Sequence, residues 1–277
     1  MPLYEDYISR EQELSFHDFR ELKHCRTQRY LSITNMKNDM GLYTNFALMM
    51  SDQCPWHVQI HIPGFDATMN GPLPKQMEDA MNCLSERLGT SLHTDRIVKL
   101  SSFPRTAIME SLANAIIHFD PSLMRDIVIT VDERHMVIES PGNAVYEVIE
   151  NGLRNPKTAD IMKKMGYAKL MGIGLDSIRS SYCNSGFMPR LIREDDTFAI
   201  HLPAISGKED RDERSYKEII EYIDTMGHAY LKDLCVSLML SSYTALKAVD
   251  KLQKDGEIFS MGSGSKKRYY RSKRKQK

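Results

Sequence analysis

Residues 104 to 140, PRTAIMESLANAIIHFDPSLMRDIVITVDERHMVIES, read as one helix feeding one hairpin, and that succession decides the fold class. Pro104 opens the helix, where its missing N–H costs nothing. Ile108, Leu112, Ala115 and Ile116 recur three and four residues apart and form an apolar stripe ending near His118. DIVITVD (126–132) and HMVIES (135–140) are alternating, β-branched runs separated so narrowly that they must pair as a hairpin. Asp132-Glu133-Arg134 supplies the polar turn, and Pro141-Gly142 ends the second strand.

Working outward, residues 73–88 form another helix, with Leu73, Met77, Ala80, Met81, Leu84 and Leu88 on one face and Gly89 beyond it. His57-Val58-Gln59-Ile60-His61 alternates like a strand stopped by Pro63-Gly64, and residues 44–51 form an apolar patch. Ser15-x-x-Asp18 is expected to cap a short helix running through Leu22. Downstream, helices are expected at 158–165 and 174–183, and strands at 190–194 and 197–202. Helices mixed with antiparallel hairpins imply an α+β layer architecture.

A seam follows. ISGKEDRDERS (205–215) is almost wholly charged, as solvated linkers and helix entries are, and a linker is expected at 207–214. Beyond it, helices are expected at 216–226, 230–238 and 241–255, two of them stopped by Gly227 and Gly256. GEIFSMGSGSKKRYYR then reads as two strands around a Gly-Ser-Gly tip. Three helices and a hairpin over 215–277 predict a winged helix-turn-helix. A chain of 277 residues has room for two such modest domains.

The 37 basic and 37 acidic residues cancel, but unevenly. Residues 266–277 carry eight Lys/Arg and no acid, leaving 29 basic against 37 acidic elsewhere, a balance of −8. A basic end on an acidic body points to a polyanion partner. No run of 18 apolar residues spans a membrane, and the charged start MPLYEDYISREQE lacks the apolar core of a secretion signal. Five cysteines (25, 54, 83, 183, 235) lie far apart without a CxxC pair, which argues against a disulfide framework and a zinc site. The protein is therefore expected in the cytoplasm.

Glu110, Asn114 and His118 stand at i, i+4 and i+8, so they line one helix face. An acid, an amide and an imidazole in a row can polarise water and help hold Mg²⁺; the same row also suits a solvated polar face. Gly172-Ile-Gly174, before a helix, can cradle an anion or simply permit a tight entry. His57 and His61 share a strand face but have no third metal ligand nearby in sequence.

Residues 41–202 resemble the divergent GHKL-like ATPase domain of bacterial RecG-helicase-like proteins and HTH-containing transcriptional regulators, which begin with a Schlafen/AlbA-type domain. The resembling pieces are TNFALMMSD (44–52), FPRTAIMESLANAIIHFD (103–120), ITVDERHMVIESPGN (129–143), RNPKTADIMKKMG (154–166) and MGIGLDSI (171–178). The resemblance implies a two-layer α/β sandwich at 91–206, with 1–90 a remnant of the Schlafen/AlbA-type domain packed on it. It also implies that Glu110 is the N-box acid that orients water and Asn114 the Mg²⁺-side amide. His118, Gly142, Gly172 and Gly174 would line the ATP site. This chain departs from the pattern in having Ser140 where the family has its adenine-reading Asp, and HFDP in place of HRDY.

The expected function is a DNA-binding transcriptional regulator with a degenerate GHKL-like nucleotide domain, acting on double-stranded DNA as a homodimer. The DNA-contacting residues would be Ser241, Ser242, Tyr243, Thr244 and Lys247 on the recognition helix, with Lys266, Lys267, Arg268 and Arg271 on the wing. The alternatives are an Mg²⁺-dependent ATPase using Glu110, and a protein-interaction scaffold with a solubilising tail.

Overall fold

The central hairpin of the sequence forms as expected: the strands Ile127–Val131 and His135–Pro141 pair antiparallel, with Ile129 opposite Ile138. Asp132 makes the turn, its Oδ1 accepting from the backbone N–H of Arg134 and His135, each at 2.7 Å. The computed structural model describes residues 3–21, 36–89, 102–142, 153–167, 174–183, 185–205 and 208–272. The chain divides into two units, residues 1–181 with 191–202, and 182–190 with 203–277.

In the first unit that hairpin is the middle of a six-stranded sheet. The strands are β1 (Val58–Ile62), β2 (Phe65–Met69), β3 (Ile127–Val131), β4 (His135–Pro141), β5 (Arg190–Glu194) and β6 (Thr197–Pro203), in the order β2-β1-β3-β4-β6-β5. β1 lies parallel to β3, with Val58 opposite Ile127 and Ile60 opposite Ile129. This places strands from the segment 1–90, expected as a remnant packed on the following domain, in the same sheet as the hairpin. β2 was not expected; Gly64, at φ +80, turns the chain straight back onto β1.

The sheet buries one face. Val58, Ile60, Ile127, Ile129, Val131, Met136 and Ile138 are inside, while the alternating Thr130 and Glu139 are exposed. Helices α3 (Leu73–Gly89) and α4 (Arg105–His118) pack against β1 and β4 respectively. Their inward residues are those that the periodicity selects: Leu73, Met77, Ala80 and Leu84, and Ile108, Leu112, Ala115 and Ile116. The architecture is α+β.

Two short helices are closed by carboxylates far away in sequence. In α1 (His17–Glu21) the expected Ser15 cap is replaced by Asp52, which accepts from the N–H groups of His17 and Asp18 at 2.9 and 3.0 Å. Ser15 instead donates its hydroxyl to Asp52, at 2.6 Å; the expected end at Leu22 lies outside the described residues. α2 (Asn45–Met49) carries the buried Phe46 and Met49 of the apolar patch. At α5 (Pro156–Lys164) the buried Glu5 accepts from the N–H groups of Lys157 and Thr158, both at 2.8 Å, and from the Thr158 hydroxyl at 2.6 Å. α6 (Gly174–Ser181) packs on α4.

The second unit contains helices α7 (Lys208–Met226), α8 (Leu231–Ser237) and α9 (Ser242–Lys254). Its strands β7 (Ala229–Tyr230), β8 (Ile258–Met261) and β9 (Arg268–Arg271) form a sheet in the order β7-β9-β8. The linker expected at 207–214 is helical from Lys208. Its charges pair along the helix: Lys217 with Glu213 at 2.7 Å and Arg214 with Glu218 at 2.8 Å, both at i, i+4. Segment 182–190 also belongs to this unit. Phe187 is fully buried there and bridges Leu240, with Ser241 N donating to Gly186 O at 2.9 Å and Met188 N to Met239 O at 2.8 Å. Gly186, at φ +86, has no room for a side chain, because a Cβ would stand 2.7 Å from Thr244 Oγ1. Among the described residues, no helix is long and apolar enough to cross a membrane.

Candidate functional site

In the first unit the row on α4 is mostly drawn inward. Glu110 is buried, and Asn114 and His118 are half-buried. Glu110 faces the start of α6: its Oε2 lies 3.3 Å from where a Cβ on Gly174 would stand. The expected N-box acid and one of the glycines expected to line the ATP site are therefore neighbours. Gly172 lies outside the described residues.

His118, about 12 Å further along the helix at 1.5 Å per residue, belongs to a different cluster. Burial, and then the charge of Arg154, push its imidazole down to about 4. It is neutral at pH 7. Arg154 is salt-bridged to Asp120, and Asp120 Oδ1 also accepts from the Ser122 hydroxyl, at 2.5 Å, and its N–H, at 3.0 Å. Gly142, at φ +95, packs onto this cluster: a Cβ there would stand 2.7 Å from Asp120 Cβ. Ser140 is buried, and its hydroxyl donates to Phe198 O at 3.4 Å. Asp120 and Arg154 were missed as members of this cluster, although both lie inside stretches that carry the family resemblance.

The two histidines, His57 just before β1 and His61 on it, diverge into separate pairs, His57 with Asp126 at 3.1 Å and His61 with Asp66 at 2.6 Å. Among the described residues, no cluster of three or more His, Cys, Asp or Glu is placed to hold a metal. Cys54 is buried, which pushes its thiol up to about 12; Cys25 lies outside the described residues.

In the second unit, the expected DNA-contacting residues of α9 separate by role. Ser241 is the helix N-cap, its Oγ accepting from Thr244 N at 3.1 Å, and Thr244 is buried. Lys247 donates to Asp212 Oδ2 at 2.6 Å, a bond that holds the Asp212 carboxyl low. Ser242 and Tyr243 remain exposed, Tyr243 at 77%. On β9, Arg271 is occupied internally, donating to Glu257 O at 2.9 Å and Glu257 Oε2 at 2.6 Å, with Asp224 at 3.5 Å. Lys266 and Arg268 are exposed and Lys267 half-buried; among the described residues none of the three forms a salt bridge. The basic tail 273–277 lies outside the described residues.

The outer face of the β7-β9-β8 sheet carries a feature that the sequence alone does not reveal. Phe259 and Tyr270, register partners across β8 and β9, stack with centroids 5.5 Å apart. Tyr270 also stacks on His228 at 5.8 Å, and His228 meets Tyr230 edge-on at 5.6 Å. Arg268 lies 5.2 Å over the Tyr230 ring, and its Nε donates to Tyr230 Oη at 2.5 Å. On β9 Tyr269 is buried and Arg268 exposed, so the strand's alternation turns Tyr270 to the same face as Arg268. Beside the stack, Ile223, Asp224, Gly227, Phe259, Tyr270 and Arg271 bound an open hollow of about 500 Å³.

No protein-family model and no curated protein sequence matches the chain. Among solved structures, the crystal structure of the DIP2311 protein from Corynebacterium diphtheriae is similar, with a TM-score of 0.57 at 12% identity. The match covers 98% of this chain and 70% of that one. At that identity the likeness concerns the fold alone.

Proposed function

We propose that the protein is a DNA-binding transcriptional regulator. Its second unit is a winged helix-turn-helix that grips duplex DNA chiefly through the wing, and it acts as a homodimer on paired half-sites. The observation that carries this reading is the set of cations Lys266, Lys267 and Arg268, which have no carboxylate partner among the described residues and open the basic stretch of a chain that is −8 elsewhere. Lys247 and Arg271, already held by carboxylates, are assigned to internal structure. The three wing cations and about one from the tail would seat on phosphates, giving a slope of log K against log salt of about −3.6 at roughly −0.9 per phosphate. Affinity should then fall on the order of 150-fold between 50 and 200 mM salt, measured by fluorescence anisotropy on a duplex. Replacing Lys266, Lys267 and Arg268 together by alanine should flatten the slope by nearly three quarters. A slope near zero for the unaltered protein would end the reading.

The first unit is read as a GHKL-like scaffold without nucleotide turnover. The neighbouring Glu110 and Gly174 favour the ATPase alternative. Against it, the residues around the expected adenine turn do not fit the base. Ser140 is buried and donates to the backbone, and Asp120, the carboxylate packed against Gly142, is held by Arg154 and Ser122. Thermal melting with and without millimolar Mg-ATP should therefore give the same Tm. A ligand at about 100 times its Kd would add roughly 2.7 kcal/mol. A rise in Tm abolished by Asn114→Ala would instead establish the nucleotide site.

A further inference from the structure

We infer that the outer face of the β7-β9-β8 sheet is a stacking platform for an unpaired DNA base, so that the protein prefers duplexes carrying single-stranded DNA. The inference concerns the same wing as the duplex reading but rests on a different observation, the aromatic ladder and its hollow. Aromatic side chains that line a sheet face normally lie against a layer of core. Here Phe259 is 44% exposed and Met261 60%, and the stack opens onto a hollow whose floor includes the buried Ile223. A volume of about 500 Å³ falls within the range of small-molecule sites and accepts a nucleobase.

The charge around the platform selects the occupant. Arg268 is two residues from Tyr270 on the same strand, so its side chain leaves the same face roughly 7 Å away, close to the spacing of successive phosphates. Lys266 and Lys267 precede it on the turn, and 266–277 contain no acid. An aromatic face beside a line of cations is the combination that binds single strands: rings take bases, while lysine and arginine follow the backbone. Asp224 and Arg271, paired with each other at 3.5 Å, give the hollow a polar rim. An apolar peptide would fill the hollow equally well but would leave Lys266, Lys267 and Arg268 without an anionic partner, so DNA is the better complement.

The full chain should be titrated by anisotropy against a blunt duplex and the same duplex with a short single-stranded overhang, at equal salt. One stacked base predicts about tenfold tighter binding of the overhang. Phe259→Ala, an exposed position, should abolish that preference and leave blunt-duplex affinity unchanged. Equal affinity for the two duplexes, or a preference that survives Phe259→Ala, would overturn the inference. Photocrosslinking the unaltered protein to an overhang containing iododeoxyuridine gives a readout that needs no variant. Adducts are expected on Phe259 or Tyr270, and adducts confined to Tyr243 would count against the platform. If the overhang binds and the blunt duplex does not, the duplex reading falls and the platform stands.

Discussion

Glu5→Ala is expected to lower the stability of the first unit by about 3 kcal/mol. The substitution leaves three donors without their acceptor: the half-buried N–H of Lys157 and the buried N–H and hydroxyl of Thr158. Each orphaned donor costs about 1–3 kcal/mol. Part of that cost is offset, because burial pushes the Glu5 carboxyl up despite the hydrogen bonds and the nearby Lys157 that draw it down. Removing the carboxylate therefore also removes a desolvation penalty. At about 2–4 °C per kcal/mol for a unit of this size, Tm should fall by roughly 6–12 °C. Glu5→Gln keeps one acceptor oxygen but turns an NH₂ toward the remaining N–H groups, so it should recover only part of the loss. An unchanged melting curve for Glu5→Ala would mean that water replaces the carboxylate at no cost.

The second large effect is an acid sensitivity centred on His118. Burial and Arg154 hold its imidazole near 4 in the folded chain, whereas an unfolded histidine titrates near 6.5. Below pH 6.5 the unfolded state gains a proton that the folded state refuses, so stability is intact above 6.5 and drains away as the pH falls toward 4. The loss approaches about 3 kcal/mol at pH 4, since each tenfold difference in proton affinity between the two states is worth about 1.36 kcal/mol. Glu5 acts in the opposite sense: its raised carboxyl favours the folded state at low pH and costs stability as the pH rises through its folded value. The measurement is therefore a difference, urea unfolding of the unaltered protein against His118→Gln at pH 7 and pH 4.5. The variant should lose distinctly less stability over that interval. Parallel losses would show that His118 is protonated in the folded state.

Local rules carried most of the fold. The helices at 73–89 and 105–118 and the hairpin at 127–141 follow from periodicity and turn chemistry that lie within a few residues of one another. What escaped depends on partners far along the chain. Nothing near Ser15 or Pro156 signals that Asp52 and Glu5 close those helices, because each carboxylate reaches its helix only through the tertiary fold. The charged stretch before Tyr216 suggests a solvated linker by composition, yet its i, i+4 pairs are a helix signal of the same range as those used elsewhere. Ser241 illustrates the reverse. Its place before a helix already marks it as a cap, and that local role competes with base contact. The aromatic ladder needed the strand register, since His228, Tyr230, Phe259 and Tyr270 become neighbours only once β7, β8 and β9 are aligned.

The discontinuity of the second unit limits how it can be exchanged or inherited. Its chain arrives twice, first as 182–190 and again from 203. A piece cut at residue 203 would leave behind Tyr182 and Phe187, both essentially fully buried, and strip the backbone partners from Met239 and Ser241 at the entrance to α9. The unit is thus not a cassette. A transplant that takes it as one stretch delivers a perforated core, so an intact exchange must carry 182–190 together with 203–277.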